Sequence, residues 1–164
     1  MIEKKVKTML IQVSENRKSI CREYIEMFWQ ESMLGDKIGP KELWIKGEGV
    51  ARKFLKKRGY KILKRNYVSK TGEIDIVAYN KGIIAFVEVK ARLSERYGSP
   101  VLAITKGKKR KIVKTALCYL LENKIENIDY RFDVVSILFT KEAYKPIIEF
   151  FEGAFTSDGL FDHV

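Results

Sequence analysis

The sequence predicts an α/β domain, a mixed β-sheet with helices packed on it, preceded by a helical extension. Three observations carry this. Runs rich in Val, Ile, Phe and Tyr at 60–67, 73–79, 83–90, 131–139 and 147–151 have strand character. Two segments, 47–58 and 106–124, repeat apolar residues at helical spacing. A helix preceding three strands, and another separating them from two more, calls for a mixed sheet.

The breaker cluster Gly35-Asp36-Lys37-Ile38-Gly39-Pro40 divides the chain. Ahead of it, Ile2, Val6, Met9, Leu10 and Val13, then Ile20, Tyr24 and Phe28, fit two helices. Residues 1–43 are therefore read as a helical extension and 44–164 as the main domain. The extension is nearly neutral, with 8 Lys+Arg against 7 Asp+Glu. The formal net charge of +11 thus resides almost wholly in the main domain. Within it, Val50, Ala51, Phe54 and Leu55 share a helix face, and Gly59 is a stop signal. Tyr60–Tyr67 and Glu73–Tyr79 are strands, and Asn80-Lys81-Gly82 turns the second into Ile83–Lys90 as a hairpin. Ile112, Ala116, Tyr119 and Leu120 set the core face of the second helix. Arg131–Phe139 and Ile147–Phe151 complete the strands.

Composition excludes several kinds of chemistry. The one histidine, His163, lies beside the C-terminus, which removes Ser-His-Asp and Cys-His catalysis and the usual zinc sites. Two cysteines, Cys21 and Cys118, cannot build a secreted disulfide framework and read as free thiols. No apolar run approaches the roughly 20 residues that span a bilayer, and the N-terminus lacks the apolar core of a signal peptide. The expectation is a cytoplasmic protein with no membrane association. So basic a domain usually meets a polyanion, most often nucleic acid.

Chemistry is left to carboxylates and lysines. Asp75 stands inside the apolar run Gly72-Glu73-Ile74-Asp75-Ile76-Val77, and Glu88 and Lys90 inside Phe86-Val87-Glu88-Val89-Lys90. Charges there are costly if buried unpaired. Alternation puts Glu88 and Lys90 on one face, with Val87 and Val89 on the other. A turn with Lys81 and Gly82 at its centre brings Asp75 opposite Glu88, whereas a slip of one residue sends it to the wrong side. Two neighbouring carboxylates repel and make a place for a divalent cation. With Lys90 beside them, magnesium (or manganese) suits phosphodiester hydrolysis. Glu48, on the first helix, adds a third carboxylate. Spacing alone favours instead a salt-bridged Glu88–Lys90 pair on a solvated sheet face, with Asp75 one more surface acid.

A series of motifs goes further. Gly47-Glu48-Gly49-Val50-Ala51, Gly59-Tyr60-Lys61-Ile62-Leu63-Lys64-Arg65-Asn66-Tyr67, Gly72-Glu73-Ile74-Asp75, Phe86-Val87-Glu88-Val89-Lys90-Ala91-Arg92, Tyr97-Gly98-Ser99-Pro100, Arg131-Phe132-Asp133-Val134-Val135 and Ala154-Phe155 occur in this order. Together they resemble the YraN-like family of bacterial proteins over about residues 44–155. That family is similar to the PD-(D/E)xK superfamily of restriction-endonuclease-like nucleases. The resemblance implies that fold, with Asp75 as the metal-binding acid, Glu88 and Lys90 as the (D/E)xK element, and Glu48 as the helical glutamate of some branches. The chain departs from the pattern in three places. Ile74 replaces the nominal proline, Leu102 stands where relatives are expected to carry an acid, and Thr115 replaces the glutamine that some branches set four residues before a tyrosine.

Residues 106–111, Lys-Gly-Lys-Lys-Arg-Lys, open the second helix, where cations oppose the helix dipole. Lys106, Lys108, Lys109 and Arg110, extended by Lys64, Arg65, Arg92 and Arg96, form a candidate phosphate clamp. A solvated charge run is the plain alternative. Arg131 and Asp133, two apart in a strand, are expected to pair structurally. The combined reading is a magnesium-dependent endonuclease acting on DNA, with branched or structured DNA as candidate substrates. The alternatives are a nucleic-acid-binding module of the same fold without robust catalysis, and an adaptor acting through its N-terminal helices. A homodimer is compatible with each.

Overall fold

The structure, a computed structural model, describes residues 39–94, 103–140, 145–158 and 160. The two helices expected in the N-terminal segment, Arg96, the Tyr97–Pro100 motif, Leu102 and His163 lie outside the described residues. The chain divides into two units, and the second, Pro40–Val164, carries every described element.

Helix α1 runs Pro40–Lys57, followed by strands β1 (Lys61–Ser69), β2 (Gly72–Asn80) and β3 (Ile83–Arg92). Helix α2 (Lys106–Glu122), β4 (Asp129–Leu138) and β5 (Ile147–Phe155) complete the unit. The sheet order is β1-β2-β3-β4-β5, with β3 and β4 parallel and the other neighbours antiparallel. This is the mixed sheet with flanking helices expected from the sequence. Two elements are longer than the pattern gives. Proline fits the first position of a helix, so Pro40 opens α1 instead of ending what precedes it. Strand β5 runs on to Phe155 because Gly153, at φ 58°, bulges and lets pairing resume at Phe132↔Phe155.

Alternation along β3 sorts the two sheet faces. Ile84 and Phe86 join Ile112, Val113, Ala116, Tyr119 and Leu120 of α2, with Val77, Phe132 and Val134, in the principal core. On the other face Val89 and Ala91 meet α1, whose buried side is Gly47, Ala51 and Leu55. Phe54 of α1 also packs edge-on to Phe150 of β5, with ring centroids 5.7 Å apart. Both faces being covered explains why β3 is buried from Ile84 to Val89.

Gly47 marks a close approach of helix and sheet. A Cβ at this position would lie 2.6 Å from the Cβ of Ala91 on the central strand. Gly47→Ala gains helix propensity but must push α1 off β3. The expected result in urea unfolding is a net loss of about 1–3 kcal/mol.

Candidate metal and nucleic-acid site

The hairpin register is the one that the two-residue turn requires. Asn80 pairs with Ile83 across Lys81 (φ 47°) and Gly82 (φ 86°), and pairing continues to Ile76↔Val87. Positive φ at both central residues matches the strand twist, and glycine at the second accepts it without strain. Beyond Ile76 the ladder stops. There the Asp75 carboxylate enters the gap and accepts the Val89 amide at 2.7 Å. A side chain thus replaces a main-chain acceptor where β2 and β3 part, and Asp75 is 5% exposed.

Glu88 is also 5% exposed, and lies on the face covered by α2. Its Oε1 accepts Lys90 Nζ at 2.9 Å, so the two share a face as alternation requires. Lys108, from the first turn of α2, brings a second ammonium to within 3.5 Å of the same oxygen. Glu88 Oε2 is buried without a hydrogen-bond partner. Burial, then the charge of Glu88, pushes the Asp75 carboxyl up to about 7 from an ordinary 3.8, against the Val89 amide and Lys108, which favour the charged form. Asp75 therefore carries its charge at a cost that the Val89 amide and Lys108 only partly offset.

Glu48 reaches the same end of the hairpin from α1. Asn66 mediates. Its amide, oriented as the surrounding acceptors require, donates to Glu48 Oε2 at 2.8 Å and to the Asp75 carbonyl at 3.2 Å. Burial raises the Glu48 carboxyl, while Asn66 and Arg65 draw it down. Among the described residues, no three His, Cys, Asp or Glu side chains are grouped so as to hold a metal ion. Asp75 and Glu88 are the two acids whose surroundings fit one. They form a buried like-charged pair with one orphaned oxygen, which suits magnesium, an ion usually held by one or two carboxylates with water and phosphate oxygens.

The basic stretch divides. Lys106 is exposed at the helix start, and Lys108 faces Glu88. Lys109 instead sits 5.4 Å over the Phe155 ring, and Arg110 donates to the Leu160 carbonyl. Lys64 and Arg65 are exposed on β1, and Arg92 ends β3. Asn66 was not among the sequence candidates. Its signal is an asparagine inside a strand-like run, where the type is depleted, at a φ of 47° that asparagine tolerates better than most.

A second buried acid, also raised by burial, is partnered differently. Asp133, fully buried, accepts the Gly153 amide at 2.8 Å in the β4–β5 bulge. Arg131 pairs with it at 3.0 Å and with Glu152 at 2.9 Å, and donates to the Tyr60 hydroxyl. This is the structural pair anticipated from the sequence.

The fold and this site define an α/β protein with a carboxylate–lysine cluster at the opening of a central hairpin. Residues 47–137 match the family described as "Uncharacterised protein family UPF0102". Similar proteins include a UPF0102 protein of Desulfosudis oleivorans, 55% identical over 91 residues that cover 56% of this chain and 74% of the relative. One from Trichlorobacter lovleyi is 46% identical over 110 residues, 66% of this chain and 86% of that one. Another, from Clostridium perfringens, is 40% identical over 115 residues, 70% of this chain and 94% of that one. The chain belongs to the UPF0102 family, the YraN-like proteins its motifs resemble. Among the described residues, no helix is long and apolar enough to cross a membrane.

Proposed function

We propose that this protein is a divalent-metal-dependent endonuclease that hydrolyses DNA phosphodiester bonds in the cytoplasm. The observation that carries the reading is the buried Asp75–Glu88 pair, with Glu88 Oε2 unpartnered and Lys90 fixed beside it. Burying two like charges costs stability, and the one backbone amide that Asp75 accepts would be served as well by a neutral side-chain oxygen. The net charge of +11 and the likeness to the PD-(D/E)xK superfamily support a nucleic acid as substrate.

Asp75 and Glu88 would hold magnesium or manganese, which when bound polarises a phosphoryl oxygen and acidifies its water. The Val89 amide holds the Asp75 carboxylate by one oxygen, which leaves the other available. Lys90, partly exposed beside Glu88, is placed to orient a water or to donate to a phosphate oxygen as negative charge develops. Asn66 and Glu48 brace the backbone of Asp75 from the α1 side. Lys106, exposed at the start of α2, binds a phosphate of the strand.

The test is cleavage of labelled duplex, single-stranded, flap and four-way-junction DNAs, and the matching RNAs, with magnesium or manganese. Wild type is expected to cut at least one substrate only when the ion is present. Lys90→Ala is expected to lower that rate by about 10²–10³-fold. Cutting by wild type in EDTA, or by Lys90→Ala at the wild-type rate, rejects the reading. A second reading, a binding module without turnover, draws on the two ammonium groups already gathered on Glu88 Oε1. It predicts DNA binding with no cleavage on the whole panel.

A further inference from the structure

Two lysines converge on one carboxylate oxygen while its twin has no partner, and they are held differently. Lys90 lies two residues from Glu88 on the same strand, at 2.9 Å. Lys108 comes from a separate element, stands off at 3.5 Å, and has Glu73 at 4.0 Å as a further acid. One close ammonium already serves Glu88 Oε1. The second is a longer, looser contact on a flexible stem.

The helix start around Lys108 is built at a cost to the helix. Thr105 caps α2, its hydroxyl accepting the Lys108 amide at 3.2 Å. Lys108 therefore occupies the third helical position, where a capping box sets Glu or Gln, and the first turn has no acid at all. The ammonium there opposes the helix dipole. Gly107, just before it, lowers helix propensity with no steric need. An added Cβ would meet nothing nearer than Thr105 Oγ1 at 4.0 Å. This corner is thus cationic and open, beside a buried and unpartnered carboxylate oxygen.

We propose that Lys108 is an exchangeable counter-ion: it neutralises Glu88 in the metal-free protein, and when a divalent cation takes the carboxylates it is released to bind a phosphate of the nucleic-acid strand. The inference rests on the metal-dependent reading above and adds to it a coupling between ion and strand. A divalent ion at the carboxylates repels a neighbouring ammonium and outcompetes its single charge. The freed side chain then extends over the open surface at Gly107. Metal binding thereby adds one phosphate contact, and the strand should in turn strengthen metal binding by the same factor.

The experiment uses the full chain as wild type, Lys108→Met and Lys108→Arg. Manganese affinity is read by electron paramagnetic resonance without DNA. Duplex binding is read as a function of salt, in EDTA and in calcium. Lys108→Met is expected to bind manganese about tenfold more tightly than wild type. In calcium it binds duplex more weakly than wild type, and its log K against log salt slope is shallower by about one phosphate contact. In EDTA its duplex binding equals that of wild type. Lys108→Arg keeps the wild-type calcium dependence. If wild type binds manganese and Lys108→Met binds it equally well, the exchange is overturned and the metal site stands. If Lys108→Met weakens duplex binding equally in EDTA and calcium, Lys108 is a fixed phosphate contact and the exchange is likewise overturned. If wild type binds no manganese, the exchange and the metal-dependent reading fall together.

Discussion

Asp75→Asn is expected to stabilise the metal-free protein at pH 8 while removing cleavage. The Asp75 carboxyl rises from an ordinary 3.8 to about 7 in the folded chain, through burial and then the Glu88 charge. A raised folded value means that the native state favours the protonated form. That contribution is fully present below about pH 4 and is lost as pH climbs through about 7. Above that range the folded protein carries an unfavourable carboxylate. Asparagine stays neutral throughout and keeps an oxygen to accept the Val89 amide. The variant should therefore gain about 2 kcal/mol over wild type in urea unfolding at pH 8 in EDTA. The gain should vanish near pH 4. Manganese should raise the wild-type melting temperature but not that of the variant, and cleavage should fall about 10³-fold. An Asp75→Asn protein less stable than wild type at pH 8 would place Asp75 among the structural acids.

Asp133→Ala is expected to do the reverse, costing about 3–5 kcal/mol of stability with manganese affinity unchanged in whatever fraction remains folded. The two acids occupy similar places. Each accepts a backbone amide where a ladder breaks, Val89 for Asp75 and Gly153 for Asp133. Their compensation differs. Asp133 has a guanidinium at 3.0 Å, itself held by Glu152 and Tyr60. Removing it leaves the Gly153 amide without its acceptor and Arg131 short of a partner. Asp75 has a second carboxylate as its neighbour. Removing one charge of an opposed pair relieves the fold, whereas removing one of an attracting pair harms it. Urea unfolding of both variants at pH 8 in EDTA should move in opposite directions.

The sequence made the hairpin legible because its register follows from a single local rule. Once Lys81 and Gly82 form the turn, pairing of Ile76 with Val87 is forced, and just beyond that last pair Asp75 lies close enough to feel the Glu88 charge. The core face of α2 was equally clear, with Ile112, Ala116, Tyr119 and Leu120 all buried. What required the structure was set by non-local geometry. The first turn of α2 offers several cations, and only the packing of that helix across β2 and β1 sends Lys108 to Glu88 while Lys109 turns to Phe155. The role of Asn66 depends on β1 pairing with β2 and on α1 bringing Glu48 within reach. The start of α1 was obscured because Gly47 and Gly49 weaken the helical pattern locally, although Gly47 is there for its contact with Ala91.

The irregularities of the two outer strands bear on self-association. A β-strand with unpaired amides and carbonyls along one side invites a strand from another molecule. Strand β1 carries Lys61, Lys64 and Arg65, shifts register between Ile62 and Lys64, and turns Asn66 to positive φ. Strand β5 bends at Gly153 and carries Glu149 and Glu152. Charge and twist thus guard both edges of the sheet formed by the described residues against strand addition. If two copies of this protein pair, a continuous sheet across the dimer is disfavoured, and a helix or a sheet face is where their interface should be sought.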